Sequence, residues 1–398
     1  MRTWMTRFSA VMAFAVVAPG ARAQDVPATS SGSSSTTPGW VVTPSLTYAT
    51  SWDDNVLIRG QGDNVTGDFL NVLNPRVSID LNGRRGQIDT TYDGAFLLYR
   101  QFNTLDSFDQ HLSFSGRRLI TPHLALFAND TAAVLPTTDY VDFVGIPFIR
   151  TGSALEDARV GLEYTASSRM TWTGSYNFQW VRFDTSSAYT SQLFGGHSHG
   201  GTLSWRERIS EHTSLIGNGD LQEATVGGAL GFQVAQASFG FEQQLSRSTS
   251  VTGSGGVAHV SVSSFGPART GPAIRVGLTH QIQTAAVDVA YSRTFVPSYG
   301  FGGTFQNEDF TAQLRLPILR RVYTSSSVTW RRDQPLSANE LGIRSVWVAV
   351  TVGYAWQRWL HIEGFYNRTN QNIAQPGGVF DINRLGVQIV TSNPMRLR

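Results

Sequence analysis

Residues 170–183 read MTWTGSYNFQWVRF. In an extended chain Met170, Trp172, Tyr176, Phe178 and Trp180 fall on one face, and Thr171, Thr173, Ser175, Asn177 and Gln179 on the other. A period of two marks a β-strand whose faces meet different surroundings. A soluble β-sandwich alternates as well, so the aromatic spacing has to separate the two. Trp172 and Trp180 share a face; at about 3.3 Å per residue and a tilt of about 40° they stand roughly 20 Å apart along a barrel axis. That approaches the height of a lipid-facing band with an aromatic girdle at each rim. As the core of a sandwich, a row of Trp and Tyr would pack poorly.

The same alternation recurs outward from this segment. Val346, Val348, Val350, Val352, Tyr354 and Trp356 oppose Trp347, Ala349, Thr351, Gly353 and Ala355. Phe310, Ala312, Leu314, Leu316 and Ile318 oppose Thr311, Gln313, Arg315 and Pro317. The breaks between such runs alternate between short and long. Short turns fall near residues 82–85, 119–122, 167–169, 210–212, 246–248, 284–285, 319–321 and 357–358. Longer ones fall near 51–68, 100–106, 134–154, 184–196, 225–227, 263–271, 297–305, 333–340 and 370–379. Eight turns and nine loops join eighteen strands, with sixteen as the alternative because the break at Thr225 is weak. An even strand number with short turns at one end and longer loops at the other is the bacterial outer-membrane pattern. The expected fold is therefore all-β: one antiparallel transmembrane barrel over residues 40–398. Pro75 lies inside the second strand and predicts a bulge or a late strand start. The last strand is expected over Phe380 to Val390, with a periplasmic tail.

Composition agrees. The chain has 398 residues, 39 Gly, 11% aromatics, 15% charged residues and no Cys. Without Cys there is no disulfide framework, thiolate nucleophile or Cys-ligated metal. No segment beyond the N-terminal leader approaches 18 consecutive apolar residues, so no transmembrane helix is expected. Residues 1–23 read as a signal peptide: Arg2 and Arg7, an apolar stretch from Phe8 to Pro19, then Ala21-Arg22-Ala23 with cleavage before Gln24. Residues 24–39 are rich in Ser, Thr, Pro and Gly and read as a flexible periplasmic leader. All 31 basic residues are Arg; three leave with the leader, and 28 then face 29 carboxylates. The net charge is near zero and gives no support for a nucleic-acid partner.

Parity assigns the polar face to the lumen. The expected pore-lining residues are Asp80, Asp89, Asp93, Asp109, His111, Arg117, Asp157, Arg159, Glu163, Arg206, Arg208, Glu242, Arg275, Asp288, Asp309, Arg315, Arg331, His361, Glu363 and Arg384. Most such groups do no more than hydrate a polar wall or pair with one another. Trp172, Tyr176, Trp180, Tyr354 and Trp356 are the expected membrane-interface aromatics. No catalytic constellation stands out, and no cofactor or metal site is expected. His197 and His199 would point to one face, but no third ligand is identifiable, whereas metal sites need three or four. Residues 253–256 (GSGG) match a nucleophile elbow only loosely, and the glycines relieve strand crowding more simply.

Ala49-Thr50-Ser51-Trp52-Asp53-Asp54-Asn55-Val56 follows the first alternating strand. Its Asp-Asp-Asn before an aliphatic residue resembles the β-barrel porin type 2 family, outer-membrane barrels found with exopolysaccharide biosynthesis systems. The resemblance implies a passive conduit that exports a polysaccharide and works with a periplasmic export or co-polymerase partner. Read as an ordinary loop, the same three residues would form a turn. Three readings follow, of which a barrel enzyme or surface adhesin would need a tight cluster of Ser, His and a carboxylate or amide at the outer rim, and the sequence offers none. Export predicts a wide lumen with few constricting loops. A general or sugar-selective diffusion porin predicts a long loop folded inward, with opposed charges across a constriction; residues 134–154, carrying Asp139, Asp142 and Arg150, form the best such loop.

Overall fold

The computed structural model describes residues 39–397, except 61–62, 140–142, 144, 185–192, 228–230, 262–267, 283–284, 337–340 and 375–377. The segments expected to be a signal peptide (1–23) and a leader (24–39, all but Gly39, which begins the first strand), and Asp142, lie outside the described residues. Eighteen long strands follow one another. They are β1 (Gly39–Asp53), β2 (Asp68–Asn82), β3 (Gly86–Tyr99), β4 (Ser107–Thr121), β5 (Leu124–Leu135) and β6 (Ser153–Thr165). Next come β7 (Met170–Phe183), β8 (Gly196–Arg208), β9 (Thr213–Val226), β10 (Phe232–Ser246), β11 (Thr249–Val260) and β12 (Arg269–Ile282). The last six are β13 (Ala285–Pro297), β14 (Thr304–Pro317), β15 (Val322–Pro335), β16 (Ile343–Gln357), β17 (Leu360–Ile373) and β18 (Val379–Ser392). The break near Thr225 is real: it separates β9 from β10.

Each strand pairs antiparallel with the next, and β18 returns to pair with β1 from Ser392↔Ser45 to Arg384↔Asp53. Closure leaves no edge strand, which is what a sheet in hydrocarbon requires, because an unpaired backbone group there costs several kcal/mol. No helix among the described residues is long and apolar enough to cross a membrane.

Hydroxyl side chains build several of the short turns. The amides of Arg169 and Met170 donate to Ser167 Oγ, those of His123 and Leu124 to Thr121 Oγ1, and that of His212 to Ser210 Oγ. Ser and Thr make such turns because a short hydroxyl can stand in for a backbone acceptor. Gly39 and Leu397, the first and last described residues, lie at this end of the barrel, which is the periplasmic one by the pattern of short turns.

Two expectations about strand ends are corrected. Pro75 produces neither a bulge nor a late start. β2 keeps one register with β3 on both sides of it, Leu73↔Phe96 and Arg76↔Asp93; only the pairs at Asn74 and Pro75 are missing, since proline has no N–H to donate. The tail does not hang free either. After Asn393-Pro394 the chain resumes as Met395–Leu397 and pairs with Trp40–Val42 of β1, extending the wall.

The outward face carries exposed Leu, Val, Phe, Tyr and Trp. On β16 the outward apolar run from Val346 to Trp356 spans about 25 Å of height at a tilt of about 40°. Trp172 of β7, Trp205 of β8 and Phe239 of β10 form a chain of ring contacts, with centroids 6.4 and 6.3 Å apart, the second passing over Gly217 of β9. Trp172, Tyr176, Tyr354 and Trp356 are exposed on this face, and Trp180 is half-buried on it. A closed barrel with such a face is built to span a bilayer.

Candidate functional site

By strand register, the twenty polar residues expected in the lumen share the face opposite the exposed Leu, Val, Phe, Tyr and Trp. Most serve neighbours along the wall. Asp80 stands directly opposite Asp89, and Asp93 opposite His111. Asp109 lies 2.8 Å from His111. Arg117 pairs with Glu163 at 2.7 Å, and Arg206 with Glu242. Gln179 donates to Asp157 at 2.9 Å, Arg159 to Ser175 at 3.0 Å, and Arg208 to the Ser168 carbonyl at 2.9 Å. Arg275 faces Ser254 and Ser292, Asp288 faces Gln313, and Arg315 faces Ser325. Tyr323 bridges Glu363 and His361. They form a lining spread around the barrel and do not converge on a reaction centre.

The lining changes along the axis. In the periplasmic half Asp89, Arg117, Arg208, Arg275 and Arg315 are exposed to the lumen. Towards the loops Asp309, Arg331 and Arg384 are buried, and the inward face turns apolar. Leu135, Val181, Phe183, Val226, Phe232, Val234 and Val260 pack there in one cluster with Ile146 and Tyr299 from two loops. Parity had predicted a polar lumen throughout. The upper part is instead a packed core, because loops fold into it.

The principal loop is residues 136–152, between β5 and β6. Its two limbs are pinned together by Thr138: the hydroxyl donates to the Pro147 carbonyl at 2.6 Å, and Ile149 N–H donates to that hydroxyl at 2.7 Å. The loop then crosses to the far wall. Phe148 N–H donates to Gln371 Oε1 at 2.7 Å, and Gln371 Nε2 donates back to the Ile146 carbonyl at 3.1 Å. Trp347 Nε1 reaches the Asp139 carbonyl at 3.5 Å. Arg150 donates to the Val56 carbonyl and, at 2.8 Å, to the Tyr99 hydroxyl. The loop thus ties β5 and β6 to β16, β17 and the β1–β2 connection.

A second loop, residues 298–303, meets the first. Phe301 N–H donates to the Gly145 carbonyl at 3.2 Å, and the Tyr299 hydroxyl donates to Ser198 Oγ of β8 at 2.9 Å. Burial pushes the Tyr299 hydroxyl up to about 12. The crossing demands glycine twice. Gly145 (φ +76°) and Gly300 (φ +101°) occupy the left-handed region. A Cβ at Gly145 would lie 2.0 Å from Ser298 Oγ, and one at Gly300 would lie 2.5 Å from the Gly145 carbonyl oxygen.

Opposed charges line this crossing. Arg384 of β18 sits between Asp53 of β1, at 2.6 Å, and Asp139 of the loop, at 3.4 Å; all three are buried. Arg331 pairs with Asp309 at 3.0 Å, and Asn307 donates to Asp333 at 2.8 Å. A buried pair is no great source of stability, since desolvation offsets most of the attraction, but it fixes a geometry.

Asp53-Asp54-Asn55 does structural work at this place. Asp53 accepts from Asn55 N–H at 2.9 Å besides holding Arg384. Asp54 accepts from the backbone and side chain of Asn383 at 2.7 and 2.8 Å. Asn55 Nδ2 donates to the carbonyls of Arg59 and Asp381. The motif braces the first loop against β18. His197 and His199 lie within β8, not in a loop, and face outward against Trp180 and Phe178 of β7. Among the described residues no three His, Asp or Glu side chains gather as metal ligands.

No family model matches the sequence, and no curated protein is similar to it. Among solved structures, OccAB4 of Acinetobacter baumannii shares 9% identity over 90% of this chain and 98% of its own, with a TM-score of 0.47. OpdO of Pseudomonas aeruginosa shares 11%, over 90% and 98%, at 0.45. OpdK of the same organism, solved with vanillate, shares 7%, over 89% and 99%, at 0.46. These matches carry the resemblance read from Asp53-Asp54-Asn55 no further. The geometry alone carries the functional reading.

Proposed function

We propose that the chain is an outer-membrane diffusion channel for small polar solutes, selective by size and charge. The observation that carries this reading is the 136–152 loop, folded across the lumen with Asp139 against Arg384 of the far wall. An eighteen-strand barrel without such a loop would leave a wide aqueous channel. With it, passage is restricted to the edges of a packed crossing lined by Arg150, Arg331, Arg384 and their carboxylate partners. Below it the lumen is wide and polar.

The export reading required few constricting loops. A polysaccharide would have to displace Phe148, Tyr299 and the hydrogen bonds that seat them, so the present arrangement favours the porin alternative. Swelling of proteoliposomes tests this. Small sugars and amino acids should enter and oligosaccharides should not. Entry of long oligosaccharides at comparable rates would overturn the proposal.

A further inference from the structure

Above the lipid band, one sector of the outer wall carries arginines. On β14, β15 and β16 the outward residues ascend in cross-strand rows. Ala312, Val328 and Val348 form one row, and Phe310, Trp330 and Val346 the next. The following row is Glu308, Arg332 and Arg344, continued by Arg293 on β13 and Asn372 on β17. Arg332 and Arg344 stand directly opposite each other. Two like charges at such a position repel. Glu308, the one carboxylate in the row, lies 3.4 Å from Arg293. A cavity of about 530 Å³ beside this row is lined by Arg332, Arg344, Gln306 and Asn372, and also by Arg269, Asp333 and Ile343, whose parity is inward.

We infer that this row, Arg332 and Arg344, binds the phosphate-bearing headgroup of an outer-leaflet glycolipid. Height is the first argument. The apolar run on β16 fills about 25 Å of hydrocarbon from Trp356 up to Val346. Arg344 follows Val346 by one outward step, about 5 Å higher at the same tilt. That is headgroup depth. Chemistry is the second. Planar guanidinium groups take phosphate oxygens through paired N–H donors, and a dianion between Arg332 and Arg344 would turn their repulsion into attraction. Gln306 and Asn372 add amides suited to sugar hydroxyls. Continuity is the third. Acyl chains lying on Phe310, Trp330, Val346 and Val348 would lead straight up to the arginines, so a lipid fits where a soluble anion would leave the apolar surface unused. The inference rests on the barrel residing in an outer membrane, and it does not depend on what the lumen passes.

The test is native mass spectrometry of the detergent-solubilised barrel, titrated with a bis-phosphorylated glucosamine-disaccharide lipid and with its enzymatically dephosphorylated form. The wild-type protein should retain the phosphorylated lipid at least about tenfold more tightly. The double variant Arg332→Gln/Arg344→Gln should lose that difference. It should keep the folded, heat-modifiable band on gels and an unchanged conductance, since both side chains face away from the lumen. Equal retention of both lipids by the wild type would overturn the inference whether or not the variant folds. So would full displacement by millimolar inorganic phosphate, which would reassign the site to a soluble anion. A variant that binds as tightly as the wild type would overturn it as well. Failure of the porin reading would show as altered solute passage with lipid retention intact.

Discussion

Arg384 shows how one residue holds the closed lumen. It joins β1, β18 and the folded loop through Asp53 and Asp139. Replacing it with Met leaves two buried carboxylates without their cation. Removing one partner of a buried pair costs about 3–5 kcal/mol, and Arg384→Met should lower the denaturant midpoint of unfolding accordingly, while Arg118→Met at the exposed rim should shift it little. Tyr299 supplies a pH dependence. Its hydroxyl ordinarily titrates at 10.0 and burial pushes it up to about 12. The folded state therefore holds a proton that the unfolded state releases, so this contribution is complete below pH 10 and is lost as pH rises towards 12. Tyrosinate absorbance should show a component near pH 12 that Tyr299→Phe removes.

At the scale of elements, the strands were legible and the crossing was not. MTWTGSYNFQWVRF announces a strand because alternation is a local property. The path of residues 136–152 depends on Gln371, which lies 223 residues beyond Phe148 in sequence, and on a glycine contact with the 298–303 loop. No local pattern encodes either. Charge in the loop, at Asp139 and Arg150, was visible, whereas Gln371, Asp333, Tyr299 and Ser198 were not singled out. One signal was present and unread: the alternation inverts near strand tops. In Val181-Arg182-Phe183 the apolar residues turn inward and the charge outward. The same holds for Phe232-Gln233-Val234. Each inversion marks where lipid ends outside and the packed core begins inside. Gly300→Val would both strain a left-handed backbone and strike the Gly145 carbonyl. It should unseat the two loops and raise single-channel conductance without loss of the folded band.

At the scale of the whole molecule, the barrel is a wall with two chemistries and a one-sided closure. The absence of Cys makes the wall easy to map. Ser327 points inward and Val328 outward on β15, at the height of the apolar band. In vesicles, Ser327→Cys should react with a charged, water-soluble thiol reagent and Val328→Cys should not; the opposite pattern would invert every face assignment, because a one-residue slip exchanges the two faces. The outer arginine row follows from the inversion of alternation near strand tops, whereas the inner charged crossing of Asp53, Asp309, Arg331 and Arg384 keeps the polar-inward parity of the wall.

Under the proposed function, the 136–152 loop sets the width of the channel. Single-channel conductance in planar bilayers tests it directly, comparing the wild type with a chain in which residues 137–151 are replaced by a short Gly-Ser turn. The wild-type conductance should be small and indifferent to added polysaccharide, with a several-fold rise in the shortened chain. A large wild-type conductance that polysaccharide blocks, unchanged when the loop is removed, would contradict that role of the loop.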